Sequence, residues 1–230
     1  MTDTASADGG GGGADGGASN GADAGTDADG GRFSRLRHPE VERRLVHVTG
    51  ALAPASYLLG VFTWRQLGLV LLGGSMLAAL LEAGRLSGRL DLAIYDRLTR
   101  EYEQDNVAAY ALYVVSFTVV VLLFQPRVAI PAVLALAIAD PVSGLLGSGE
   151  LRDVKQGYVL LATFGIATGI ASFFVPALAA VLGGLATALA DGVKPTVRGY
   201  VLDDNLTIPP AAAVAMTLGL ELVGRLPALV

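Results

Sequence analysis

Apolar residues run through this chain in long stretches broken by short polar punctuation. Leu67 to Leu81, Val107 to Gln125 and Gly157 to Ala190 contain no Asp, Glu, Lys or Arg at all. The runs show no alternation with period two, which argues against a β-barrel. They suit an all-α polytopic membrane bundle, because a spanning helix needs about 20 mostly apolar residues. We read seven spans, roughly 48–64, 67–82, 107–124, 128–147, 157–174, 176–190 and 206–223. Pro126, Pro176 and Pro209 fall at turns or helix starts, where a missing N–H costs least. Residues 38–46 read as an interfacial helix leading into the first span. The segment 83–106 is too charged to span, yet Leu86, Leu90, Ile94 and Leu98 recur at helical spacing. The pattern predicts an amphipathic helix along the headgroup layer, with a solvated loop helix as the alternative.

Composition separates residues 1–31 from the rest. This segment is Gly, Ala, Ser, Thr and Asp with no Lys or Arg, and it cannot bury enough surface to offset its ordering entropy. It also lacks the basic start and apolar centre of a signal peptide. The expectation is a disordered acidic tail followed by one integral-membrane domain, 32–230. Six of the 21 acids lie in the tail, leaving 15 against 16 bases in the remainder, so the net charge of −5 belongs to the tail. The chain has no cysteine and only two histidines, His38 and His47, which excludes disulfides and thiolate metal sites and disfavours a His-rich zinc site.

The bases set the expected orientation. With the N-terminus in the cytoplasm and the C-terminus outside, 13 of the 16 Lys and Arg face inward, leaving only Arg65, Arg127 and Arg225 outside. The expected location is the cell membrane, crossed several times. His47, Glu82, Asp140, Lys155, Asp191, Lys194, Asp203, Asp204 and Asn205 then fall at or near cytoplasmic helix ends. Only 12 residues run from Val128 through Ala139, about 18 Å of helix against a hydrocarbon core of about 30 Å. Asp140 is therefore expected within the inner leaflet, in a polar cavity. The break at Pro141-Val142-Ser143-Gly144 would let backbone line that cavity. Charged groups at membrane depth are costly and usually mark a site.

Carboxylates beside an Asn, a Lys and Arg in a cytoplasm-facing cavity suit a Mg²⁺–nucleotide site, since Mg²⁺ takes one or two carboxylates plus phosphate and water oxygens. Phosphoryl transfer is mostly positioning and charge neutralisation. A lipid alcohol could present its hydroxyl there while its tail stays in the bilayer. No Gly-x-x-x-x-Gly-Lys loop is present, so any nucleotide would bind at the membrane face itself. Asp140 reads as metal ligand or general base, or as a buried acid paired for packing. Asp204 and Asn205 read as metal and phosphate contacts, with a helix N-cap as the alternative. Lys155, Asp191 and Lys194 are candidate nucleotide contacts, or else an inside-positive anchor and helix-end residues. His47 and Glu82 are candidate substrate contacts, though Glu82 could instead pair with its i,i+3 neighbour Arg85.

The series Glu42-Arg43-Arg44-x-x-His47, Asp140 with Gly144 and Gly147, Lys155, Asp191, and Asp204-Asn205-Leu206-Thr207-Ile208-Pro209 resembles the CTP-dependent polyprenol kinase family. That family includes dolichol kinases, phytol kinases and fungal-type diacylglycerol kinases, within the wider phosphatidate cytidylyltransferase group. The resemblance runs from about residue 40 to 215, and Asp-Asn-x-x-Ile-Pro is its most specific element. It implies transfer of a phosphoryl group from CTP, with Mg²⁺, to an isoprenoid alcohol of the dolichol type. Asp140 and Asp204 would hold the metal, and Lys155, Asn205, Lys194 and Asp191 the nucleotide. Two departures stand out: Ala139 precedes Asp140 where the family usually has Gly, and Gln156-Gly157 follows Lys155 where Ser or Thr and then Glu-Gly are usual. Two rivals remain open at this point. One is a cytidylyltransferase making a CDP-lipid; the other is a small ion-coupled transporter using Asp140 and Asp191 as protonation sites. No nucleic-acid partner is expected, and a homo-oligomer is compatible with the sequence.

Overall fold

The computed structural model describes residues 39–90, 106–147, 155–193, 196–197, 200–201 and 203–225. The compact unit runs from His38 to Val230. The expected acidic tail 1–31, most of the 83–106 segment, and Lys194 lie outside the described residues. The described chain is helical apart from one small antiparallel ladder. Its helices are α1 (Pro39–Thr49), α2 (Leu52–Leu58), α3 (Trp64–Leu86), α4 (Ala109–Leu123), α5 (Pro126–Leu146), α6 (Gly157–Ser172), α7 (Ala177–Gly192) and α8 (Asp204–Arg225). Between α7 and α8, β1 (Thr196–Val197) pairs with β2 (Tyr200–Val201), Thr196 opposite Val201.

Local chemistry accounts for several boundaries. Thr63 caps α3 in a reciprocal capping box: its hydroxyl accepts from the Gln66 amide at 3.3 Å, and the Gln66 side chain accepts from the Thr63 N–H at 2.9 Å. The turn before it uses Gly60 at φ +73°, a left-handed conformation that a side chain would disfavour. Pro126 opens α5 and an extended Pro176 precedes α7. The expected first span, 48–64, is not one helix. The chain is helical from Pro39, breaks at Gly50–Ala51, resumes over Leu52–Leu58 and turns before Trp64. Gly50 explains the break's position, because the Tyr113 phenol occupies the space where a side chain at 50 would stand.

Three helices are long and apolar enough to cross a membrane: α3, α5 and α8. Helices α4, α6 and α7 are apolar but shorter, at 15 or 16 residues. Helix α5 is central. Within its apolar window 67% of residues are buried, against 28% in α3 and 33% in α8. Val128, Ala129, Ala132, Val133 and Leu136 of α5 form a core with Phe117 and Val120 of α4, Ala167 of α6, Ala179 of α7 and Ile208, Ala212 and Met216 of α8. Helix α3 leaves Leu69, Val70, Met76, Leu77 and Leu80 more than half exposed. An apolar surface of that extent would be a liability in water and suits hydrocarbon surroundings.

Helices α7 and α8 approach closely because small residues line their seam, as apolar surroundings demand. A methyl group at Gly219 would stand 2.5 Å from the Ala179 Cα and 3.1 Å from its nitrogen. Backbone cannot move aside as a side-chain tip can. Gly219→Ala is therefore expected to cost about 1–3 kcal/mol by forcing the helices apart. Gly224→Ala, on the same helix with nothing within 4 Å, should be neutral or slightly stabilising. Thermal unfolding of the two variants in detergent distinguishes them; equal midpoints would refute the seam.

Candidate functional site

Three helices each deliver one carboxylate to a common point. Asp140 lies in α5, Asp191 near the end of α7, and Asp204 at the first position of α8. One oxygen from each comes within 4.8 Å of the other two. Local irregularity in α5 brings Asp140 into place. Pro141 has no N–H for the Ala137 carbonyl, and its ring would crowd that carbonyl in a regular helix. The chain answers with a π-helical stretch, Ala135–Ala139, in which the Asp140 N–H reaches back five residues to the Ala135 carbonyl. One extra residue in a turn rotates everything after it by about 100° relative to a regular α-helix. The β1–β2 ladder turns the chain back between Asp191 and Asp204, so that consecutive helix ends share one site.

Lys155 supplies the positive charge. Its Nζ is 2.5 Å from Asp191 Oδ1, 2.9 Å from Ser143 Oγ and 3.9 Å from Asp140 Oδ1. Its backbone N–H donates to the Gly192 carbonyl at 3.2 Å, tying the start of α6 to the end of α7. The other oxygen of Asp191, Oδ2, accepts from Ser143 at 2.6 Å and lies 3.2 Å from the Thr163 hydroxyl. Asp191 is fully buried. Both its oxygens are engaged, which makes it the anchor that aims the Lys155 ammonium toward Asp140.

At the start of α8 the cap is Asp203. Its side chain accepts from the Asn205 N–H at 2.9 Å, and its carbonyl accepts from the Leu206 and Thr207 N–H groups. The Asn205 amide nitrogen donates to Asp203 Oδ1 at 2.6 Å, and the Asn205 oxygen lies 2.6 Å from His47 Nε2. Tyr113 in turn holds His47: its hydroxyl donates to the His47 carbonyl at 2.6 Å, and its ring meets the imidazole edge-on at 4.8 Å between centroids. Arg44, one turn earlier in α1, donates to the Pro141 carbonyl at 3.1 Å. Its guanidinium occupies the space a side chain at Gly144 would need.

The structure thus gathers His47, Asp140, Lys155, Asp191, Asp204 and Asn205, and with them Arg44. Glu82 is engaged elsewhere. It accepts from Arg85 at 2.7 and 3.0 Å, from the Tyr110 hydroxyl at 2.5 Å and from the Ala108 N–H at 3.1 Å, joining the end of α3 to the start of α4. The i,i+3 pairing that its spacing anticipates is present. Sequence reasoning missed Ser143, Thr163 and Tyr113. Ser143 had a signal, since it lies one helical turn after Asp140; Thr163 and Tyr113 sit in uniformly apolar stretches and had none.

The donor set around this point is all oxygen. Three carboxylates accompanied by one ammonium leave a surplus of negative charge, and oxygen donors of this kind fit a hard divalent cation such as Mg²⁺ better than a soft metal. A cation is the ligand such a balance favours. Comparison with protein-family models, curated proteins and solved structures finds no match for this chain.

Proposed function

We propose that the protein is an integral-membrane lipid kinase that transfers a phosphoryl group from CTP to an isoprenoid alcohol of the polyprenol or dolichol type. One observation carries the reading: Asp140, Asp191 and Asp204, from three helices, converge within 4.8 Å beside Lys155. Such a cluster is expensive to assemble among apolar helices and is offset by a bound cation, through which a phosphate could then be held. The resemblance to polyprenol kinases, resting on the Asp-Asn-x-x-Ile-Pro element and the residues ahead of it, names the donor and acceptor.

In this reading seven segments cross the membrane: the stretch 48–64, which contains α2, then α3 to α8 in turn, with the earlier turns of α1 at the interface and the N-terminus and the acidic site on the cytoplasmic side. Asp140 and Asp204 would hold Mg²⁺. When bound, the ion neutralises phosphate charge and orients the triphosphate. Lys155, aimed by Asp191, contacts the phosphates, and Asn205 completes the nucleotide's described surroundings. His47 lies on the acceptor side. The alcohol's tail remains in the bilayer against the exposed apolar faces.

Purified protein supplied with CTP labelled at the γ-phosphate, Mg²⁺ and a polyprenol should yield labelled lipid and CDP. No labelled lipid, alongside a working control kinase, would overturn the proposal. Release of pyrophosphate with a CDP-lipid, when a lipid phosphate is supplied in place of the alcohol, would replace it with cytidylyl transfer. Ion flux in proteoliposomes without nucleotide turnover would replace it with transport.

A further inference from the structure

The turn that joins α6 to α7 is apolar almost from end to end. It runs Ala171-Ser172-Phe173-Phe174-Val175-Pro176-Ala177-Leu178, at the end of the pair opposite Lys155 and Asp191. Phe174 and Val175 turn back onto the core, while Ser172, Phe173, Pro176, Ala177 and Leu178 are exposed, Phe173 by 87%. The polar groups of the turn close on themselves. The Ser172 hydroxyl donates to the Gly169 carbonyl at 2.7 Å. The Phe173 N–H reaches the Ile170 carbonyl at 3.3 Å, and the Phe174 and Val175 N–H groups reach the Ala171 carbonyl at 2.9 and 3.0 Å. Pro176 has no N–H to satisfy. Backbone arranged this way needs nothing from water. Other connections at this end of the bundle differ: Gln125 and Arg127 at the start of α5, and Arg65 and Gln66 at the start of α3, are all exposed.

Two limits fix the depth of this tip. Exposed Phe173, Pro176 and Leu178, with no charged or free hydroxyl group beside them, suit lipid and not water. The first N–H groups of α7 have no side-chain cap, however, and donors of that kind are costly in the centre of the hydrocarbon. The layer that meets both conditions is the edge of the leaflet, where ester carbonyls border the acyl chains. Length agrees with this. Helices α6 and α7 have 16 residues each, about 24 Å against a hydrocarbon core of about 30 Å. Neither can carry the turn out into water while Lys155 and Asp191 stay at the opposite surface. We propose that the α6–α7 turn is a membrane anchor, seated at the ester-carbonyl level of the leaflet opposite the acidic site, with Phe173 and Leu178 among the acyl chains. The inference rests on α6 and α7 crossing the membrane and is independent of phosphoryl transfer. It has a consequence for the site: a hairpin of about 24 Å held at one edge of the core leaves Lys155 and Asp191 about 6 Å short of the other, below the headgroups.

The chain has no cysteine, so a single introduced thiol reads the depth directly. Phe173→Cys and Arg127→Cys each replace an exposed side chain and leave the core untouched. The full-length protein is reconstituted in phosphatidylcholine bilayers with a membrane-impermeant maleimide on both faces. Arg127→Cys should react readily and Phe173→Cys about 10-fold or more slowly, because apolar surroundings suppress the reactive thiolate. After denaturation in detergent the two should react alike. The chain's single tryptophan, Trp64, allows a second readout, with Phe173→Trp in a Trp64→Phe background. Its fluorescence should be quenched most by lipids brominated near the head of the acyl chain, less by bromine at the chain end and least by aqueous iodide. A Phe173→Cys thiol as reactive as Arg127→Cys, or strong quenching by iodide, would put the turn in water and overturn the anchor. Strongest quenching from the chain end would overturn the assigned depth. No quenching by any lipid would overturn the anchor by giving the turn to a protein contact. Shielding of both thiols would overturn the crossing of α6 and α7 on which it rests. A lipid-seated turn in a protein that phosphorylates no lipid would keep the anchor and remove the kinase reading.

Discussion

Asp140→Asn and Asp204→Asn are each expected to reduce phosphoryl transfer by on the order of 10²-fold or more while leaving the folded protein no less stable. The two halves of this result have one cause. Three carboxylate oxygens lie within 4.8 Å of one another, and one lysine stands among them. A fully ionised pair at that separation repels by about 3 kcal/mol at an effective dielectric near 20. Lys155 offsets part of this, but it is committed mainly to Asp191. Removing one charge relieves repulsion in the metal-free protein and removes a metal ligand in the loaded one. Thermal unfolding in detergent should show the Asn variants at or above the wild-type midpoint without Mg²⁺. Added Mg²⁺ should raise the wild-type midpoint by mass action and leave the variants where they were. A variant that retains full turnover, or that still gains stability from Mg²⁺, would remove its residue from the proposed metal site.

The sequence predicts the helices well because the signal is one of length and uniformity, although only α3, α5 and α8 are long and apolar enough to cross a membrane. A run such as Val107 to Gln125 admits little else. It fails where tertiary contact decides. The span expected at 48–64 breaks at Gly50, a residue whose role is to admit Tyr113, and no local pattern reveals a partner more than 60 residues away. The site follows the same division. Asp140, Asp191 and Asp204 are conspicuous in sequence because an acid at the edge of an apolar helix has few structural uses. That they meet at one point depends on the π-helical turn ahead of Pro141 and on the return of the chain through β1 and β2. Glu82 shows the converse: it looked equally conspicuous, and its oxygens go to Arg85, Tyr110 and the Ala108 N–H, which join α3 to α4.

Replacing Asp191 should do the opposite of replacing Asp204, although the two side chains share one cluster. Asp191 is fully buried, and its oxygens receive Lys155, Ser143 and the neighbouring Thr163 hydroxyl. Asp191→Ala leaves an ammonium without its closest counter-charge and the Ser143 hydroxyl without its acceptor, while Thr163 keeps the Val159 carbonyl at 3.0 Å. Removing one partner of a buried pair typically costs about 3–5 kcal/mol. The lower end is expected here, because about a quarter of the Lys155 side chain is exposed and Asp140 at 3.9 Å offers a second partner. Lys155→Met strands the Asp191 charge instead and should cost a similar amount, with loss of turnover. The double variant removes both stranded charges, so it should be more stable than the sum of the two losses by about 1–3 kcal/mol. Denaturant unfolding of the four proteins in detergent closes that cycle. Strict additivity, or an Asp191→Ala protein as stable as wild type, would mean that Lys155 is not held by Asp191, and the aim of its ammonium toward Asp140 would need another cause.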